Sequence, residues 1–200
     1  MERKEYSAGA VKLSFWFIEF RKVVELLNEG KNTNHIKALV LNENLFAAST
    51  AFRANQIYNT VLGRIRTLDK SFVSLFVRSD LATQKLFALI AAMAYDTLFF
   101  DFVYEVIREK MILGTYELSD SDVRVFFKDK QQQNEKVAGW TDATLVRLGR
   151  CYKTMLYEAG VIDKAKIARK ILRPILDPEL VRWLNQSDMG VYVKALAGVR

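Results

Sequence analysis

The chain has 200 residues, of which 50% are hydrophobic, and it carries a formal net charge of +7. This length suits one domain or two small ones with a sizeable core, and the presence of only two prolines argues against a disordered chain. The single cysteine excludes an intramolecular disulfide framework. The positive charge favours a polyanionic partner, although many basic proteins bind none.

The N-terminal residues argue against export, and the apolar runs are too short for a membrane helix. Residues 1–7 are charged, and no signal-type cleavage pattern follows them. The longest purely apolar run, over residues 86–95, has ten residues, whereas a membrane-spanning helix needs about 20. We therefore expect a cytoplasmic protein with no membrane partner.

Apolar residues recur at three- and four-residue spacing through most of the first 117 residues, which predicts helices. These helices are expected over residues 13–28, 33–40, 45–68, 70–78, 81–95 and 97–111. Gly30 and Gly114 supply stops for two of them. Because the first helix is apolar around most of its circumference, we expect it to be central in an N-terminal helical bundle.

The helix predicted over residues 45–68 combines an apolar side with a polar strip. Phe52 is among its expected core contacts, whereas Arg53 and Arg64 lie on the strip with Arg66 nearby. This strip is a candidate nucleic-acid surface. A solvated helix face is the favoured interpretation, because most surface helices carry such charges.

The start of a C-terminal unit is marked at Ser119. Ser119 stands three residues before Asp122, which is the spacing of a capping box, and Leu118 and Val123 flank the cap as a hydrophobic staple. Apolar residues at three- and four-residue spacing then give this helix one buried side.

Two further helix starts follow this one. Asn134 is suited to cap a short second helix, and Thr141 is suited to cap a longer helix over residues 142–159. One side of the longer helix is apolar, and the basic residues on or beside another side are Arg147, Arg150 and Lys153. A short helix, a turn containing Gly139 and a longer helix with a basic face are typical of a helix-turn-helix that enters a major groove.

A basic segment follows Gly160. Its charged members are Lys164, Lys166, Arg169, Lys170 and Arg173. Between residues 141 and 173 there are eight Lys or Arg against three Asp or Glu. Residues 167–176 are the one plausible strand region, so the segment is typical of a short wing that lies along DNA phosphates. The alternative is an ordinary helical hairpin with a solvated basic face.

The predicted fold class is all-α: a helical bundle over residues 1–117 with a C-terminal helix-turn-helix unit, winged or not, over residues 118–200. The alternative is that the two parts form one continuous domain. Asp177 and Pro178 are suited to start a further helix, and a final short helix is expected over residues 189–196.

No residue pattern indicates catalysis, a metal or a cofactor. His35 is the single histidine, and neither a cysteine cluster nor a nucleophile motif accompanies it, so we expect it on the surface. Asp96 and Asp101 are expected to be a helix cap and a surface residue. The sequence lacks a P-loop and a glycine-rich methyl-donor loop. We therefore expect a protein that is not an enzyme and has no small-molecule substrate.

Short motifs distributed over nearly the whole chain resemble those of the BrxA family, in the same order. They are residues 6–9 (YSAG), 44–46 (NLF), 79–85 (SDLATQK), 98–105 (LFFDFVYE), 118–122 (LSDSD), 140–142 (WTD), 158–160 (EAG) and 173–180 (RPILDPEL). BrxA is a small core component of BREX systems, which defend bacteria against phage and mark host DNA by methylation. The resemblance implies an all-helical, soluble protein with helix-turn-helix features that binds DNA.

Three functions remain open at this point. The leading one is a double-stranded DNA-binding subunit that contacts DNA through the basic helix and the basic segment, with mostly phosphate contacts and modest sequence preference. The second is RNA binding, because the family has been compared with the helical RNA-binding factor NusB. The third is a scaffold that holds other BREX subunits through the acidic region 95–135 or the strip between Arg53 and Arg64.

Overall fold

The computed structural model describes residues 4–199, and helices dominate that part of the chain. A 3₁₀ helix covers Ala8–Lys12. The α-helices are α1 (Phe17–Asn28), α2 (Thr33–Asn42), α3 (Ala51–Ile65), α4 (Phe72–Arg78), α5 (Leu81–Tyr95), α6 (Thr97–Phe102), α7 (Arg108–Ile112), α8 (Asp120–Gln133), α9 (Glu135–Ala138), α10 (Asp142–Glu158), α11 (Pro178–Gln186) and α12 (Gly190–Ala197). A π-helical turn, Val103–Ile107, joins α6 to α7. The predicted all-α fold class is confirmed.

Residues 16–95 form one compact unit that contains α1 to α5. Its core is aromatic: Phe20, Phe72, Phe76 and Phe87 lie with neighbouring ring centroids 5.7–6.3 Å apart. The first helix begins at Phe17 rather than at residue 13. The preceding residue has a left-handed backbone, with φ of 52°, which is incompatible with a continuous helix.

Two side chains of α3 differ from the prediction in their exposure to solvent. Phe52, an expected core residue, is 81% exposed, whereas Ala54, two residues later in the same turn of α3, is buried. Arg64, expected on an exposed strip, is 2% exposed. Both predictions of burial are wrong.

Residues 4–15 and 96–199 form the second compact unit. Its core stacks Tyr152 of α10 against Phe99 of α6, with ring centroids 4.7 Å apart, and against Phe127 of α8, 6.1 Å away. Phe102 contacts Phe126 edge to face at 5.2 Å. Aromatic rings from α6, α8 and α10 thus fix the positions of these three helices.

Within the described residues, this unit also contains a two-stranded antiparallel sheet. Strand β1 (Glu117–Ser119) pairs with β2 (Ala168–Lys170), with Leu118 opposite Arg169. A further antiparallel bridge joins Ile162 to Ile171. The short strand was predicted in the correct region, but its partner is β1. The pairing joins residues about fifty positions apart, which no local pattern reveals.

Local capping signals are confirmed along the second unit. Ser119 and Asp122 form a capping box at α8, and the side chains of Asn134, Thr141 and Asp177 accept N-cap hydrogen bonds at α9, α10 and α11. In the other unit, the cap of α2 is Asn32 rather than the predicted Thr33.

The two compact units do not coincide with the predicted division of the chain at residue 117. Residues 96–117 group with the C-terminal residues, as do residues 4–15. The helix-turn-helix unit over residues 118–200 stays a prediction. In the compact unit, β1 and the helices that precede it belong to the same core as α8 and α10.

Candidate nucleic-acid interface

A groove runs between α8 and α10. The two helices are in close contact at Gly149, where a Cβ atom would lie only 2.6 Å from Cγ1 of Val123. The groove has a volume of about 770 Å³. Its floor is apolar, with Val123, Phe127 and Leu145, and its rim is charged. The contact at Gly149 therefore fixes how far apart the two helices lie.

The basic residues of α10 differ in exposure. Arg147 and Arg150 are exposed, as predicted, whereas Lys153 is half-buried. The side chain of Thr141 accepts a hydrogen bond from the amide of Thr144 at 3.3 Å and so caps the start of this helix. Arg147 and Arg150 therefore lie on the solvent-exposed face of a helix whose N-terminus is capped by Thr141.

Asp120, the first residue of α8, holds two of the predicted site residues. Its carboxylate accepts a hydrogen bond from Nζ of Lys153 at 2.5 Å and lies 3.6 Å from Nη1 of Arg169. The hydrogen bond from Lys153 and the charges of both cations hold the pKa of Asp120 below its ordinary value. Lys153 and Arg169 are therefore partly neutralised, and they connect α10 to β2.

The basic segment after α10 forms a hairpin between Ile162 and Ile171. The side chain of Asp163 accepts hydrogen bonds from the amides of Ala165 and Lys170 at 3.1 and 3.0 Å. The charged residues left exposed on this segment are Lys164, Lys166, Lys170 and Arg173. The hairpin therefore carries basic side chains on a backbone that is closed by Asp163.

Two further basic residues were missed by the sequence analysis. Arg124 and Lys128 are exposed on α8 and line the same groove as Arg150. They are four residues apart and so share one face of the helix. That spacing could have drawn attention to them, but only the structure places them beside α10.

The second predicted strip, on α3, is organised around Trp16. The guanidinium of Arg53 lies 5.0 Å from the centre of its indole, and that of Arg64 lies 5.9 Å from it. Such cation–π contacts stabilise a guanidinium that is partly removed from water. Because Arg64 is buried in this way, the strip does not present a continuous basic face.

The second unit also contains a buried polar cluster around Lys130. Its Nζ donates to Glu105 at 2.6 Å and lies 4.0 Å from Asp101, which accepts a hydrogen bond from the hydroxyl of Tyr6 at 2.6 Å. Burial opposes its charge, but the hydrogen bond and the nearby carboxylates raise the pKa of Lys130. Asp101 is buried, so the prediction of a surface residue is wrong.

Three other residues that could carry chemistry are His35, Asp96 and Cys151. His35 is exposed, as predicted. Asp96 caps α6 by accepting from the amides of Leu98 and Phe99, also as predicted. Cys151 is half-buried, and burial raises the pKa of its thiol. Among residues 4–199, no group of three or more His, Cys, Asp or Glu side chains is arranged to hold a metal ion.

Among the described helices, none is by itself both long enough and apolar enough to cross a membrane. The consecutive segments Leu81–Tyr95 and Thr97–Ile112 meet the length and composition requirement only when they are counted together.

The chain is similar in fold to a solved structure whose sequence is distant. A crystal structure of an uncharacterized protein from Magnetospirillum magneticum superposes with a TM-score of 0.81 and covers 98% of this chain and 100% of that one. The two sequences are 18% identical, so this likeness concerns the fold alone.

Sequence comparison identifies the family. A protein described as BREX protein BrxA from Bacillus cereus (strain H3081.97) is 37% identical over 182 residues, which is 91% of both chains. Another with the same description, from Escherichia coli O9:H4 (strain HS), is 23% identical over 91% of this chain and 85% of its own. The BrxA family model matches residues 4–188. The chain therefore belongs to the BrxA family.

Proposed function

We propose that this protein is a double-stranded DNA-binding component of a BREX phage-defence system and that it binds DNA through a winged helix-turn-helix formed by residues 117–171. The observation that carries the proposal is the arrangement of α10 and the following hairpin, which present exposed basic side chains from one compact unit. The description of the relatives as BREX proteins supports the wider role.

The order of elements supports this assignment. Strand β1 leads into α8, a short α9 and then α10, and the chain returns through the Ile162–Ile171 bridge to pair β2 with β1. In a helix-turn-helix motif the second helix, called the recognition helix, enters the major groove. We assign that role to α10 and the role of the wing to the hairpin.

The distribution of charge supports phosphate contacts. Arg147 and Arg150 are exposed on α10, Arg124 and Lys128 extend the basic rim onto α8, and Lys166 is exposed on the hairpin. Arg and Lys side chains on phosphates supply affinity that is independent of base sequence. We therefore propose modest sequence preference and no catalytic step. We further propose that it acts in the cytoplasm together with other BREX subunits.

Salt-dependent titration tests the proposal. The variant Arg147→Ala/Arg150→Ala/Lys166→Ala removes three exposed cations, and each lost phosphate contact lowers the magnitude of the salt slope by about 0.9. We expect weaker binding to any duplex and a slope that is smaller by about 2.7 in the limit where all three contact phosphates. Fluorescence anisotropy on one duplex at several salt concentrations measures both quantities.

A matched control separates position from net charge. Lys37→Ala/Arg66→Ala/Lys70→Ala removes the same charge from exposed sites in residues 16–95, and we expect it to bind like the wild type. Equal weakening by both triple variants would contradict the assigned surface. An absence of duplex binding by the wild type would contradict DNA binding itself, and preferential competition by structured RNA of equal length would favour an RNA partner.

A further inference from the structure

The tip of the hairpin exposes an apolar side chain that does not pack in the core and carries no charge. Ile167 is 87% exposed, and exposed Lys164 and Lys166 precede it in the chain, with exposed Lys170 after it. Isolated apolar residues on a surface are common. At this position, however, the other exposed residues of the loop, Lys164, Lys166 and Lys170, are all basic. A partner that covers the isoleucine would therefore be a polyanion with an apolar interior.

The backbone of the hairpin is closed by hydrogen bonds before any partner binds. The amide of Asp163 donates to the carbonyl of Lys170 at 3.0 Å, and the Asp163 carboxylate returns to the amides of Ala165 and Lys170. These three hydrogen bonds close the loop from both sides. A preorganised tip loses less conformational freedom on binding than a flexible one.

The hairpin is also connected to α10 within the same compact unit. Asp120 contacts Lys153 of α10 and Arg169 of β2 through one carboxylate. The two surfaces that we assign to DNA therefore share an anchor. A ligand bound by α10 lies next to the hairpin, which favours DNA over a separate lipid partner for the tip.

We propose that Ile167 inserts into the minor groove of DNA as an apolar wedge while the surrounding lysines contact the phosphates on both sides. This inference rests on the proposed DNA-binding function. The minor groove is about 6 Å wide and is bordered by phosphates, and isoleucine is among the residues that partly unstack a base step and bend the duplex. Steps that deform easily, such as TA, are the preferred sites.

The substitution Ile167→Ser tests the wedge. It removes apolar contact without removing charge, so we expect duplex affinity to fall about tenfold with an unchanged salt slope. Lys166→Ala is expected to behave differently, because the loss of one phosphate contact lowers the slope by about 0.9. Ile175→Ser is the matched control: Ile175 is 95% exposed but lies outside the hairpin, and we expect wild-type binding.

Two measurements on the full chain test directly whether Ile167 occupies the minor groove of the DNA. Donor and acceptor dyes at the ends of a short duplex containing TA steps should show greater energy transfer with the wild type than with Ile167→Ser. Netropsin, which fills the minor groove of A·T-rich DNA, should weaken the wild type more than the variant. Unchanged thermal melting of Ile167→Ser establishes that its fold is intact.

The possible results distinguish failure of the wedge from failure of the proposed function. If the wild type binds duplex and Ile167→Ser matches it in affinity, bending and sensitivity to netropsin, the wedge is wrong while DNA binding stands. If the wild type does not bind duplex, both proposals are wrong. If Ile167→Ser instead loses binding to phosphatidylglycerol vesicles with duplex binding unaltered, the tip binds lipid and the wedge is wrong.

Discussion

Lys130 is a lysine that is buried inside the protein together with carboxylate partners. Lysine is almost never fully buried unless it is paired, and here Glu105 and Asp101 provide the carboxylates. Its position follows helical spacing, since Lys130 lies four residues after Phe126 and three after Phe127 on the buried side of α8. The spacing was available in the sequence. The carboxylates that stabilise the buried charge come from an earlier helical segment, and the sequence pattern does not show that they lie beside Lys130.

Gly149 carries the first stability prediction. Alanine is the better helix former by about 1 kcal/mol, but its Cβ would lie 2.6 Å from Cγ1 of Val123 on α8. Overpacking of this kind costs about 1–3 kcal/mol. We expect Gly149→Ala to lower the free energy of unfolding, measured by urea denaturation.

The double substitution Gly149→Ala/Val123→Ala provides the control. Removing the Val123 methyl groups creates the space that the new methyl needs, so the double variant should be more stable than the sum of the two single effects predicts. A rise in stability for Gly149→Ala alone would mean that α8 and α10 are not in close contact at this point.

At the scale of elements, local signals predicted helices better than they predicted their partners. The capping box at Ser119 and the N-caps at Thr141 and Asp177 depend on residues two or three apart, so the sequence alone is sufficient to find them. The pairing of β1 with β2 instead brings together residues that are far apart in the sequence. Asp120 illustrates the same limit, because its contacts with Lys153 and Arg169 join three elements.

Asp120 makes the stability of this junction depend on pH. The hydrogen bond from Lys153 and the neighbouring positive charges lower its pKa below the ordinary value of 3.8. Since the folded pKa is below the unfolded one, the stabilisation is complete above about pH 4 and is lost as the pH falls through the folded pKa. Because the side chain is largely exposed, the contribution is less than about 1 kcal/mol.

We therefore expect the wild type to lose more stability than Asp120→Asn when the pH is lowered from 5 to 2.5. Chemical denaturation at closely spaced pH values measures this difference. Asp129→Asn, a change at an exposed aspartate of the same helix, controls for loss of a surface carboxylate. Parallel pH profiles for the wild type and Asp120→Asn would contradict a contribution from this ion pair.

At the scale of the whole molecule, the sequence predicted the charges of the candidate site but not their surroundings. Arg147, Arg150 and Lys166 are exposed as helical spacing and the basic segment indicated. The same reasoning placed Arg64 on a solvated strip, although Trp16 covers it. An arginine that packs on an aromatic ring has the same helical spacing as an exposed one. The difference lies in residues far away in the sequence.

The second compact unit includes residues 96–117, which predicts that residues 118–200 do not fold on their own. Several contacts cross the predicted boundary at residue 117: the ring of Phe102 packs on Phe126, Lys110 pairs with Asp122 at 2.9 Å, and the Nε of Arg108 donates to a C-terminal carbonyl. A fragment of residues 118–200 loses all of these contacts and the buried rings of α6. We expect it to lack cooperative thermal unfolding and near-ultraviolet circular dichroism, in contrast to the full chain.

The complementary measurement is made on the full chain. Phe102→Ala removes one ring from the preceding helix and should destabilise by about 3–5 kcal/mol, the usual cost of deleting a buried phenylalanine. If residues 118–200 instead formed an independent unit, the fragment would melt cooperatively. The duplex affinity of the isolated fragment would then equal that of the full chain. Either result would support a boundary at residue 117 and would separate the proposed DNA-binding unit from the helices that precede it.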